Sequence, residues 1–511
     1  MDDDSEPEMF AEDDALEVVA DGEGDVAMDS DNDDEGEEIT MQNDSIAYFD
    51  QHKDSVFTIA QHPIHPSLIA TGGSEGDTDD APGKGYVFDT SAAQSAPVLP
   101  PSYNSDPNAA QKNTELEPLF AIDGHTDSIN ALAFTQPSGE YLVSAGMDGR
   151  LRVYSVAVPR SGPVSSAKIS FLAESQEVPE INWLAPCPSA TYPNTIALGA
   201  SDGSVWVYTI DASDTSNPLQ IVQSYFLHTD ACTAGAWTPD GQLLATVSED
   251  SSLYVWDVWG VAAAKSLTTE NGQTAVSLTS ADQRFNVEGG LYSVAVSPTG
   301  AVLACGGGGG TIKIVGLPRL SDAAAAPAGP QRGGRGSKQA AAAADTSSSA
   351  HAGTILASLH TQSDGIETLA FAPAPATLLA AGSVDGSVAL YDSSRGFSVR
   401  RHLRGAHGDF SVVRVEFVRG PPHQADAGWL LTSCGMDGVV RRWDLRAAAA
   451  AAATGAAQEG ASHAPVPGLV KEWRGHRGDG EGGGVLGFVQ GETGERVVTA
   501  GDDGIVLVFE A

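Results

Sequence analysis

Histidine, a hydroxyl residue, an aspartate and an aromatic residue recur together along this chain at nearly fixed offsets. His228, Thr246, Asp250 and Trp256 form one such set, and His407, Ser433, Asp437 and Trp443 form another. A third set, His125, Ser144 and Asp148, carries Tyr154 where the others have tryptophan. A histidine poised between a carboxylate and a hydroxyl is the constellation of nucleophilic hydrolysis. Catalysis needs one such site with its own oxyanion pocket, whereas here the set repeats. The alternative is a hydrogen-bonded chain from aspartate through histidine and hydroxyl to the indole, which satisfies buried polar groups and fixes turns. Repetition favours that structural reading, and no enzymatic activity is expected.

Other chemically suggestive residues lead to equally plain expectations. Cys187, Cys232, Cys305 and Cys434 are far apart with no CxxC pair, so buried thiols are expected rather than disulfides or a zinc site. The run CGGGGG at 305–310 lacks the Lys-Ser/Thr of a phosphate loop and reads as a widened turn. Arg332-Gly333-Gly334-Arg335 could touch RNA, but a solvated loop is the simpler reading. No cofactor and no metal are expected.

These residues sit in a repeating frame. An apolar strand, a tight turn, a second apolar strand, a small-residue-Asp-Gly turn and a strand ending in an aromatic residue recur at 124–156, 228–258, 360–393, 405–445 and 475–510. Weaker copies lie at 52–90, 177–210 and 285–317, which makes eight, or seven if one of these is not a blade. Alternating Ile129, Leu132, Phe134 and Leu142 put one face of each strand toward a neighbour, and Asp148-Gly149 supplies the turn. A four-stranded unit cannot bury both faces alone, so such units stack around an axis. The fold expected is all-β, an eight-bladed β-propeller.

Outer strands are expected at 117–122, 168–174, 220–227, 353–360, 398–405 and 469–475; the one after the fourth copy is obscure. The eighth copy lacks an outer strand, and SIAYFD at 45–50 is a spare one before the first. Pairing these would close the ring with an N-terminal strand and remove both sheet edges. The insertions 321–352 and 446–468 are Ala-, Gly- and Ser-rich and read as flexible surface loops. The segment 259–284 reads as another long connection.

The formal net charge is -41, and residues 1–40 carry 19 Asp or Glu with no Lys or Arg, reading as an acidic disordered tail. The remaining 41–511 is acidic too, with 49 acidic against 27 basic residues. That argues against a nucleic-acid binder, which needs a basic footprint, and favours a basic partner such as an Arg-rich peptide. MDDDSEPEMF shows no secretory pattern and no run reaches membrane-span length. A monomer in the cytoplasm or nucleus, without membrane contact, is expected.

In a propeller, the loops leading into each inner strand and the Asp-Gly turns share one end of the ring. Asp54, Asp127 and Asp230 fall in those loops, Glu180 and Glu367 just inside the first strand, and Glu249 and Asp502 beside the structural aspartate of the turn. The first turn, SEGDTDDAPGKG, adds Glu75, Asp77, Asp79 and Asp80. A mouth lined with one sign of charge focuses the field on a cationic ligand, and carboxylates pair bidentately with guanidinium. Glu367, Glu180, Glu249 and Asp502 are expected to clamp Arg or Lys of a partner, with Asp127 at the rim.

The tetrads match those of WD repeats. MQNDSIAYFDQHKDSVFTIAQHP at 41–63, followed by TGGSEGD and GYVFDT, resembles a particular WD-repeat branch. This is the family of the fungal ribosome-assembly protein Sqt-one and the animal angio-associated migratory cell protein. The resemblance covers 41–511. It implies a dedicated chaperone for a basic large-subunit ribosomal protein, the eukaryotic counterpart of bacterial large-subunit protein sixteen. The client's basic N-terminal segment would be held on the acidic face until it is loaded on the cytoplasmic pre-60S particle. A generic interaction scaffold in trafficking or signalling is the rival expectation. The Ala/Gly-rich insertions and the incomplete tetrads depart from the family pattern.

Overall fold

The computed structural model describes residues 43–76, 78, 81–95, 113–320, 351–420, 428–446, 467–478 and 483–511. The acidic segment 1–40, the carboxylates Asp77, Asp79 and Asp80, the Arg332–Arg335 motif and most of both insertions lie outside these residues.

Strand formation follows from which faces are covered. The second strand of each blade is buried almost throughout, as in Tyr141–Gly146, Thr195–Ala200, Leu243–Ser248 and Leu378–Ser383. Neighbouring sheets cover both of its sides, so it reads as an apolar run with Ala and Gly where approach is closest. A Cβ on Gly382 would sit 2.7 Å from the Val412 side chain of the next blade. Outer strands alternate instead, as Ile355–His360 does between half-buried and exposed residues.

Seven four-stranded antiparallel sheets and one five-stranded sheet result, and the apolar cores lie between them. Ile312 and Ile314 of the fifth blade pack with Ile366, Leu379 and Tyr391 of the sixth. Trp183, Val207 and Tyr225 of the third pack with Trp237 and Trp256 of the fourth. The inner strands Thr58–Gln61 and Val485–Val489 of the first and eighth blades also touch, which closes the ring. All three weaker repeats are blades, so the count is eight.

Closure occurs through the N-terminal strand, Ala47–Phe49, which runs antiparallel to Val506–Glu510 in the register Ala47↔Val508, Tyr48↔Leu507, Phe49↔Val506. An unexpected short strand, Thr114–Glu115, then pairs in parallel on its outer side. The fourth blade's missing outer strand is Thr274–Leu278, paired with Leu253–Asp257. The connection 259–284 is therefore not a plain loop: it also carries the helical turn Val261–Ala264.

The turns behave as their residues dictate. Gly149 adopts φ +70, and a Cβ there would also lie 2.0 Å from the Val178 carbonyl oxygen of the adjacent blade. Both the left-handed backbone and the close approach demand glycine. The glycine run forms a 3-10 turn at Gly308–Gly310 between two strands, as a widened hairpin turn.

Candidate functional site

The histidine sets are structural clips that tie the loop leading into the first strand to the second and third strands. In the seventh blade, His407 Nδ1 lies 2.8 Å from Asp437, His407 Nε2 lies 2.8 Å from Ser433 Oγ, and the Trp443 indole N–H donates to that same oxygen at 2.9 Å. With Nδ1–H given to the carboxylate, Nε2 accepts the serine proton. The fourth blade differs from the expected chain. His228 Nε2 meets Thr246 at 2.8 Å and Trp256 donates to Thr246 at 2.8 Å, but Nδ1 contacts the Ser252 hydroxyl at 2.6 Å. Asp250 stands 4.0 Å away and instead accepts the Ser252 and Thr229 backbone N–H groups. A hydroxyl and a carboxylate both approach Nδ1, and the nearer Ser252 hydroxyl takes it.

In the second blade, His125 bridges Asp148 and Ser144 without an indole. The eighth blade holds an analogous set, His476, Asp503 and Thr499, with Phe509 at the tryptophan position. Thr246 and Ser433 are 0% exposed. Burial lowers the basicity of His228 to about 4, and burial likewise lowers His407 against the opposing pull of Asp437. Buried hydroxyls already engaged by an indole and a neutral imidazole hold turns in place and reach no substrate.

The carboxylates occupy one end of the ring. Backbone bonds tie each lead-in loop to the turn of its own blade: Met147 N–H to Ser128 O, Ser201 N–H to Glu180 O, Glu249 N–H to Ala231 O and Asp502 N–H to Gly484 O. Asp127 and Asp230 each turn one carboxylate oxygen onto the next residue's N–H, at 2.6 and 2.9 Å. Asp364, which sequence reasoning passed over, does the same to Gly365 at 2.7 Å. Glu180 is not inside a strand as expected but immediately before Ile181–Pro186, whereas Glu367 is the second residue of Ile366–Phe371.

Two groupings emerge. At the seam, the Ser55 hydroxyl donates to Asp502 at 2.6 Å and lies 3.4 Å from Asp54. Around the fifth blade, Glu249 and Glu367 both raise the Tyr292 phenol pKa, after burial as the larger cause. Asp127, Glu180 and Asp230 stand separately on successive blades. Among the described residues, none of these seven carboxylates, nor Asp364, is ion-paired with Lys or Arg. Three nearby cations are taken: Lys53 by Glu75 at 2.7 Å, Arg150 by Asp148 at 3.7 Å, and Arg441 by Asp437 and Glu472. Glu75 is thereby removed from the candidates. Glu367 titrates above its usual range because burial and the Asp364 charge both disfavour its ionised form.

A feature that period-two reasoning missed organises the mouth of the ring. In seven blades the inner strand carries a β-bulge after its first residue, leaving Asn130, Asn182, Thr233, Tyr292, Glu367, Val413 and Leu486 unpaired in the ladder. Asn130, Asn182 and Thr233 donate to Ile181 O, Cys232 O and Leu291 O of the following blade, at 2.6, 3.0 and 2.7 Å. At the next junction Ser293 makes that bond to Ile366 O at 2.7 Å, which releases Tyr292 from the task.

Eight radial sheets, two of them clipped by complete histidine–hydroxyl–indole chains, with carboxylates gathered at one end, define a WD-repeat propeller. The WD domain, G-beta repeat family matches residues 116–155, 219–257, 283–315 and 353–392. A structure of Chaetomium thermophilum Sqt1 bound to the N-terminus of ribosomal protein L10 is 63% identical, covering 92% of this chain and 100% of that one at TM-score 0.76. The structure of Saccharomyces cerevisiae Sqt1 is 25% identical over the same 92% of this chain and 100% of that one, with TM-score 0.62. In sequence, the ribosome assembly protein SQT1 of S. cerevisiae is 30% identical over 310 residues, 58% of this chain and 60% of the yeast protein's length. The chain belongs to the Sqt1 family of WD-repeat proteins.

Proposed function

We propose that this chain is a ribosome-assembly chaperone that holds the basic N-terminal segment of ribosomal protein L10 on its carboxylate-bearing end. The protein acts in the cytoplasm and delivers its client to the pre-60S particle. One observation carries the reading: the 63%-identical Sqt1 of C. thermophilum binds that N-terminus. The physical chemistry agrees. Asp54, Asp127, Glu180, Asp230, Glu249, Glu367 and Asp502 have no internal cation among the described residues, so a cationic segment supplies the missing charge and meets no competing ion pair. In the bound state, Glu367, Glu180, Glu249 and Asp502 contact Arg or Lys directly and Asp127 guards the rim.

Titration calorimetry with an L10 N-terminal peptide tests this. Glu367→Lys combined with Asp502→Lys should lower affinity about 100-fold while leaving the melting temperature within a few degrees. Unchanged affinity in a folded double variant would refute the site.

A further inference from the structure

Tyr292 occupies a singular place in the ring. It is the bulge residue of the fifth blade, the first position after three polar residues whose side chains are committed to the next blade. Ser293 has taken over the inter-blade bond, so the Tyr292 side chain is not needed to join blades. Its hydroxyl instead donates back to the Gly289 carbonyl, pinning the ring over the loop that leads into its own strand.

Carboxylates stand on both sides. Gly290, at φ +85, lets that loop run against the fourth blade's turn so closely that a Cβ would lie 2.7 Å from the Glu249 carbonyl oxygen. Glu367 holds the same bulge position one blade further on, on a strand packed against that of Tyr292. An aromatic ring fixed between two carboxylates without Lys or Arg partners among the described residues is chemically specific. An ammonium is satisfied by the carboxylates alone. A guanidinium is planar and weakly hydrated, so it can stack on the ring while its fork of N–H groups reaches an acid.

We propose that Tyr292, set between Glu249 and Glu367, makes this part of the face select arginine over lysine. The inference rests on the peptide-binding reading above and assigns a specificity-determining role to a residue outside the acidic set.

The test uses the full chain and two peptides, the L10 N-terminal segment with all its basic residues as Arg and the same segment with all as Lys, at one ionic strength. Wild type should bind the Arg form about three- to tenfold more tightly. Tyr292→Leu should bring the Arg form down to the Lys form and leave the Lys affinity unchanged, whereas Tyr292→Phe should keep the preference. Equal wild-type affinities for the two peptides overturn the proposal whatever the variants do, as does a folded Tyr292→Leu that keeps discriminating. If wild type binds neither peptide, the chaperone reading itself fails; binding without discrimination sinks only the role of Tyr292.

Discussion

The Ser55 hydroxyl and the Asp502 carboxylate are 447 positions apart in sequence and 2.6 Å apart in space. That bond joins the loop leading into the first blade to a turn of the eighth. Beneath it, Val56 N–H donates to Gly501 O at 3.0 Å. The seam is thus held from the carboxylate-bearing end as well as by the N-terminal strand, and Asp502 serves both the seam and the charge of that end.

Phe49 should be the most sensitive residue of this seam. It is 0% exposed and stacks on Phe88 at 4.8 Å between ring centroids, within a cluster that also holds Val498 and Val506. Phe49→Ala is expected to cost about 3–5 kcal/mol in denaturant melts. Ser55→Ala, which removes one half-exposed hydrogen bond, should cost about 1 kcal/mol or less. A Phe49→Ala protein as stable as wild type would mean the closing strand does not hold the ring.

Removing the indole donor tests the clips. Trp256→Phe and Trp443→Phe keep an aromatic ring but leave Thr246 and Ser433 without their N–H partner, for an expected loss of about 1–2 kcal/mol each. The eighth blade, with Phe509 in that place above Thr499, already lives without the bond. Thermal unfolding of the single variants measures the difference; gains in stability would contradict the assignment.

Acid should loosen the protein before its carboxylates protonate. Burial holds His52, His62 and His228 each at about 4. The unfolded chain takes up these protons near pH 6.5, so their contribution is complete above that value and is lost as pH falls toward 4. Each site can tilt stability by up to about 1.4 kcal/mol per pH unit across that window. Denaturant titrations at pH 7, 6 and 5 should show the fall, and His52→Gln should flatten it. Glutamine is tolerable there, since Gln362 fills the equivalent position in the sixth blade and donates to Ser387. An identical slope in the variant would show that His52 does not titrate as described.

Much of this was legible because alternation and turns are local signals. The spare strand at 45–50 proved to be Ala47–Phe49, and 168–174 became Lys168–Ser175 almost unchanged. Thr274–Leu278 was hidden because TAVSL alternates weakly and follows the polar stretch 265–273, itself preceded by the helical turn Val261–Ala264. The Ser252 contact could not be read from spacing, since Asp250 and Ser252 both fall near Nδ1 of His228 and only packing decides between them. Tyr292 escaped because a bulge breaks period two, and its significance appears only when bulge residues of successive blades are compared. Aligning the residue after the first buried position of each inner strand would have found it.

The composite eighth blade has a consequence for biosynthesis. Ala47–Phe49 is made before every inner strand, yet its partner Val506–Glu510 follows all the others, so the nascent chain carries an unmated segment throughout translation. Shortening the chain within Val506–Glu510 would therefore leave the eighth blade with two strands and the N-terminal strand without its partner, so a lesion there should be felt as globally as one in any central core.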